Sequence, residues 1–233
     1  MARRVCAVVG AGPGNGAAFA RRFAAEGYQV ALLARNEARL KSLAEEVPGS
    51  LAVPCDVASS ASVASAFAHV LAALGPVDTL IYNAGNYVMG GVSETDAACL
   101  EQCFRVNAVG CLNAVRQVVE GMRARGRGEI VVIGATASRR GAAGSLPFAA
   151  AKAGQRVMVE SMARELSPRG IHVSYVVIDA AIDSPLMRKV FPSRTEESFA
   201  KADDIAASVA HLVQQPRSAW TFELDLRPYL ESW

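Results

Sequence analysis

The segment Gly10-Ala11-Gly12-Pro13-Gly14-Asn15-Gly16 sets glycines where a chain can wrap a phosphate. It follows the apolar run Val5 to Val9 and opens a helical pattern, Asn15 to Glu26. Glycines there let the turn tighten and let the backbone approach a pyrophosphate, whose charge the helix N-terminus favours. A purely structural tight turn would carry the same letters, but the strand-turn-helix context points to dinucleotide binding. Asp179 stands at the carboxyl edge of the run Ile171 to Ile178, where ligands of open α/β sheets bind. Partial burial there would raise a carboxyl pKa and let it carry a proton. The plainer reading is a carboxylate that fixes loop backbone or pairs with Lys152.

The elements that must position these residues alternate along the whole chain. Strand-length apolar runs are Val5 to Val9, Gln29 to Ala34, Leu51 to Pro54, Thr79 to Tyr82, Glu129 to Gly134, Ile171 to Ile178 and Thr221 to Leu226. Between them fall helical patterns at Asn15 to Glu26, Glu37 to Glu46, Ser62 to Leu74, Ala97 to Arg123, Phe148 to Leu166 and Ala202 to Val213. Seven strands separated by helices predict an α/β fold with a parallel sheet covered on both faces. With no linker, repeat or low-complexity segment, residues 1–233 read as a single domain.

Composition removes several function classes. The 24 Lys plus Arg against 22 Asp plus Glu leave a net charge of +2, which gives no electrostatic case for a nucleic-acid partner. The longest stretch without charged residues, Val57 to Val77, carries four serines and His69 and is broken by Gly75-Pro76, so no membrane span is expected. The start, Met-Ala-Arg-Arg before Val5 to Val9, has too short an apolar run for a signal peptide, and a cytoplasmic location is expected. Five cysteines with no CxxC pair argue against a disulfide framework or a metal site; Cys99 and Cys103, four apart on a helix, read as small buried hydrophobes. His69, His172 and His211 fall within helices or a strand, away from the strand ends, and are assigned no catalysis.

The GxxxGxG spacing from Gly10 to Gly14 to Gly16 resembles the short-chain dehydrogenase/reductase family, and further matches follow in order. Asp56-Val57 is similar to the family's adenine-contacting Asp after the third strand. Asn83-Ala84-Gly85 matches the core of its NNAG motif, with Tyr82 in the first position. Asn107 resembles the active-site Asn, and Lys152 lies in a segment similar to YxxxK. The resemblance implies a Rossmann-type, doubly wound sheet in the order 3-2-1-4-5-6-7, a nicotinamide dinucleotide, contact of Lys152 with the nicotinamide ribose, and a homodimer or homotetramer. Cofactor choice turns on Leu33-Ala34-Arg35-Asn36 at the end of the second strand. An acid there would bond the ribose hydroxyls of NAD; Ala34 removes it, and Arg35 offers a planar, permanent cation to a 2′-phosphate. NADP(H) is therefore expected over NAD(H), against the plainer reading of Arg35 as one more exposed arginine beside Arg39.

The family's usual chemistry needs a Tyr four residues before the Lys and a Ser thirteen before that Tyr. Aligning on Lys152 puts Phe148 and Ala135 at those positions, and Asp179-Ala180 where the family has Pro-Gly. Phenylalanine cannot donate a proton. Ser145 has a shorter reach than the tyrosine it would replace. Strand alternation turns Thr136 to the face opposite residue 135, unless the chain bends after the strand. Tyr87 reads as a loop tyrosine, with the mouth of the pocket within its reach as the sharper alternative. Met89, Leu186, Met187, Val190 and Phe191 would give the pocket apolar walls, or simply pack in the core. The tail, Trp220 to Trp233, reads as an edge strand and a packing segment.

Two function classes follow. The first is an NADP(H)-dependent oxidoreductase acting on a small carbonyl, alcohol or unsaturated substrate, with Asn107, Lys152 and Asp179 managing a water or proton path. The second is a catalytically silent NADP(H)-binding sensor or partner protein. The lost hydroxyls favour the second, and the retained Asn107 and Lys152 the first.

Overall fold

The computed structural model describes residues 3–231. The seven strands are β1 (Val5–Val9), β2 (Gln29–Ala34), β3 (Leu51–Pro54), β4 (Thr79–Tyr82), β5 (Gly128–Ile133), β6 (Ile171–Ile178) and β7 (Glu223–Leu226). All pair in parallel, in the order β3-β2-β1-β4-β5-β6-β7. This is the expected doubly wound arrangement. Its chain reversal between β1 and β4 opens a crevice at the strands' carboxyl ends.

Strand alternation divides the core into two layers. Val5, Ala7 and Val9 of β1 join one cluster with Val63 and Phe67 of α3 (Ser60–Leu74), Met122 of α5 (Gly110–Arg125) and Val159 of α6 (Leu146–Leu166). Cys6 and Val8 join the other, with Phe19 and Phe23 of α1 (Asn15–Ala25) and Leu40 of α2 (Glu37–Glu46). A fully buried side chain of this size contributes roughly 1.5–3 kcal/mol, so the central strands are held from both sides. The cysteines Cys6, Cys55, Cys103 and Cys111 are free and buried; Cys99, expected to be buried, is free and only partly so.

Three departures from the sequence reading bear on the site. The helix expected from Ala97 is continuous in direction but contains a π-helical turn at Arg105–Val109, between α4 (Ala97–Phe104) and α5. The chain bends after β5 into a single 3-10 turn, Thr136–Ser138, which removes the alternation argument against Thr136. A short helix, α7 (Pro185–Val190), was not expected; it lies between β6 and α8 (Ala202–Val213), with Ser184 accepting from Met187 N–H as its cap. The side chain of Leu186 and the terminal Trp233 lie outside the described residues. No described helix is long and apolar enough to cross a membrane.

Candidate active site

The β1–α1 loop is fixed by close backbone approaches. Gly10 has φ +89°, and a Cβ there would lie 2.5 Å from the Ala84 nitrogen; a Cβ on Gly16 would lie 2.4 Å from the Gly10 carbonyl oxygen. Asn83 locks the same turn: its Nδ2 donates to the Gly10 carbonyl at 2.9 Å, and its backbone N–H to Val9 at 2.8 Å. Gly14 takes the position before α1, so no side chain caps that helix and no acid stands in its first turn. The exposed backbone N–H groups there suit an anion.

A hollow of about 360 Å³ brings together Gly10, Arg35, Asp56, Val57, Asn83, Ala84 and Gly85. Arg35 and Arg39 border it, both exposed, and neither has a carboxylate partner among the described residues. Asp56 is shaped by its own turn, accepting from Ala58 N–H at 3.0 Å while its N–H donates to Ser62 Oγ. Gly14 borders a larger hollow of about 660 Å³ between α1, α2 and the start of α8, which Arg39 also lines. Gly16 lies buried beneath the loop.

On the β5–β6 side the polar groups are buried and mutually bonded. Lys152, on α6, is 5% exposed; its ammonium donates to the Ile133 carbonyl at 2.9 Å and to Gln155 Oε1 at 3.0 Å. Burial pulls its pKa from 10.5 to about 8. Gln155 passes the link on, its Nε2 donating to the Asn107 carbonyl at 2.6 Å. Asn107 sits in the π turn, fully buried. Its Nδ2 donates to the carbonyls of Cys103 and Asn86 at 3.0 and 3.1 Å, and its Oδ1 accepts from Asn86 N–H at 3.4 Å. Tyr175 from β6 closes the cluster, its hydroxyl 3.4 Å from Gln155 Oε1; burial raises that phenol's pKa.

Phe148 lies one turn before Lys152, which is 6.0 Å from the centre of its ring. It also packs against Tyr87, edge to face, with centroids 5.0 Å apart. The Thr136 hydroxyl donates to Asp179 Oδ1, and Arg140 and Arg227 approach the other carboxylate oxygen at 3.5 and 3.8 Å. The remaining hydroxyls nearby are spent on backbone: Ser138 on the Ala135 carbonyl at 2.6 Å, and Ser145 on the Ala142 carbonyl at 2.7 Å.

A family profile described as short chain dehydrogenase matches residues 4–195. The chain belongs to the short-chain dehydrogenase/reductase family. A protein named carbonyl reductase family member 4 from Xenopus laevis is 27% identical over 220 residues, covering 91% of this chain and 92% of that relative. Among solved structures, a metagenomic short-chain oxidoreductase in complex with NADP superposes with a TM-score of 0.85 at 29% identity, covering 99% of both chains. An actinorhodin polyketide ketoreductase variant with NADPH gives a TM-score of 0.89 at 27% identity, again over 99% of each chain.

Within this short-chain dehydrogenase/reductase chain, the structure gathers Gly10, Gly14, Gly16, Arg35, Asp56, Val57, Asn83, Ala84 and Gly85 around one loop and its two adjoining hollows, and sets Lys152 apart on the β5–β6 side. Asn107 and Lys152 meet through Gln155. Asp179 stands apart from Lys152, bonded to Thr136 and flanked by arginines, so the alternative of a direct Lys152 pair is not realised. Gln155 escaped the sequence reading, although a polar residue three positions after Lys152 shares its helical face and so was available as a signal.

Proposed function

We propose that this protein uses NADP(H) in preference to NAD(H) and transfers a hydride to or from a small carbonyl, alcohol or related unsaturated compound. The observation that carries this reading is the uncapped N-terminus of α1 beneath its glycine turn, beside two exposed guanidiniums that no carboxylate neutralises. The dinucleotide fits what the residues offer: backbone donors for a pyrophosphate and free cations for a 2′-phosphate. The NADP and NADPH complexes of its structural neighbours support the same choice.

Gly10, Gly14 and Gly16 would hold the pyrophosphate and Arg35 the 2′-phosphate. Asp56, Val57, Ala84 and Gly85 would flank the adenosine, with Asn83 fixing the turn. Lys152 would meet the nicotinamide ribose with the N–H left free by Ile133 and Gln155. When bound, the cofactor supplies or accepts a hydride. Asn107, whose side-chain nitrogen and oxygen and backbone carbonyl are all engaged with protein, is read as a positioning residue. Asp179, engaged by Thr136, Arg140 and Arg227, is read as the anchor of the β5 and β6 ends. Val109, Leu112 and Val157, exposed on the π turn and on helices α5 and α6, support the expected self-association.

The test is NADPH oxidation by the purified protein with diacetyl, simple ketones and enones as acceptors. Turnover of any of them is expected. Tight NADPH binding with no oxidation would replace this reading with the silent-sensor one.

A further inference from the structure

Reducing a carbonyl requires a proton at its oxygen. The carbon gains a hydride from the dihydronicotinamide co-reactant, which is oxidised, and the C=O π pair moves onto oxygen, where it must be protonated. Phe148 has no proton to give. Nor does the link from Lys152 to Asn107 relay one, because it is an amide. The Gln155 oxygen accepts and its NH₂ donates, so no single atom there both takes up and releases a proton as a hydroxyl or water would.

The loop after β4 brings a phenol to this place. Asn86 is held through its carbonyl and N–H by the Asn107 side chain. Four residues later the loop is fixed again: Gly90 N–H donates to the Gly144 carbonyl at 2.7 Å, and Leu146 N–H to the Gly90 carbonyl at 3.1 Å. Between the two anchors, Tyr87 rests edge to face on Phe148, whose ring centre lies 6.0 Å from the Lys152 ammonium. Tyr87 is 68% exposed, so its hydroxyl can exchange protons with water directly.

We propose that Tyr87 is the catalytic acid, standing over Phe148 in place of a phenol at position 148, with Asn107 and Gly90 as the anchors of its loop. In the reductive direction the O–H bond of Tyr87 breaks as the new O–H bond of the alcohol forms. The resulting phenolate regains its proton from solvent. The inference rests on the NADP(H) reading above.

Tyr87→Phe keeps the ring contact with Phe148 and removes only the hydroxyl. With NADPH and diacetyl, kcat should fall by about 10²- to 10⁴-fold while NADPH affinity stays within about twofold. Adding Phe148→Tyr to that variant should restore much of the loss. A readout independent of turnover is nitration by tetranitromethane, mapped by mass spectrometry. Tyr87 should be protected by NADPH plus diacetyl and not by NADPH alone; Tyr229, the other exposed tyrosine among the described residues, is read in the same digest. Undiminished turnover in Tyr87→Phe, or nitration of Tyr87 indifferent to diacetyl, would overturn the proposal and leave the cofactor reading intact. So would a wild type that binds NADPH and reduces none of the probes. A wild type that fails to bind NADPH would instead remove the reading on which the proposal rests.

Discussion

On the β1–β4 side of the cleft, Gly10, Gly16 and Asn83 meet through backbone contacts so close that almost no other side chain fits. On the β5–β6 side, Ala135 and Phe148 stand where the family's usual chemistry has hydroxyls, and carry none. The first region is constrained by sterics and by a helix terminus that must stay open. At Ala135 and Phe148 the second lacks two hydroxyls, while the strand order and α6 keep the arrangement shared with the solved relatives. A chain can therefore preserve a nucleotide cradle while its proton donor moves elsewhere.

The sharpest way to break this comparison is to fill the cradle. In Gly16→Val the added carbons would have to occupy space 2.4 Å from a carbonyl oxygen that has nowhere to go. Overpacking of this kind costs about 1–3 kcal/mol or more, and here it falls on the turn that would hold the pyrophosphate. NADPH binding should be lost by calorimetric titration. Retained affinity would show that the loop is less constrained than its geometry states.

A smaller effect sharpens the other half. Lys152 is buried with two neutral partners, an arrangement that stability alone would not select. Its native pKa of about 8 lies below the ordinary 10.5, so between those pH values the unfolded chain holds a proton that the native protein has released. Stability relative to Lys152→Met should therefore rise with pH across that window. The full cost of the buried ammonium, on the order of 3 kcal/mol, is present below it. Urea denaturation of both proteins at several pH values measures this. A constant difference would mean that the lysine is not held as described.

What the sequence made legible follows the same division. The strands were readable because runs such as β1 and β2 are apolar on both faces, and the cradle because glycine spacing reflects backbone sterics directly. The proton chemistry was less so. The π turn that aims Asn107 inward leaves no mark on a helical pattern. Gln155 looks like any polar residue of a helix until the buried Lys152 beside it is seen. Thr136 was turned away by strand alternation, and only the bend after Ala135 brings its hydroxyl to Asp179. Tyr87 was legible as a loop tyrosine with the pocket mouth within reach, but not its contact with Phe148, which joins residues 61 positions apart.

The central claim is that this cleft is built for a phosphorylated dinucleotide, and calorimetric titration of the wild type and Arg35→Asp with NADPH and NADH tests it most directly. A charge-assisted bond is worth about 1.5–3 kcal/mol, so NADPH should bind the wild type roughly 10- to 100-fold more tightly than NADH, and Arg35→Asp should reverse the order. Equal affinities of the wild type for the two cofactors would contradict the account.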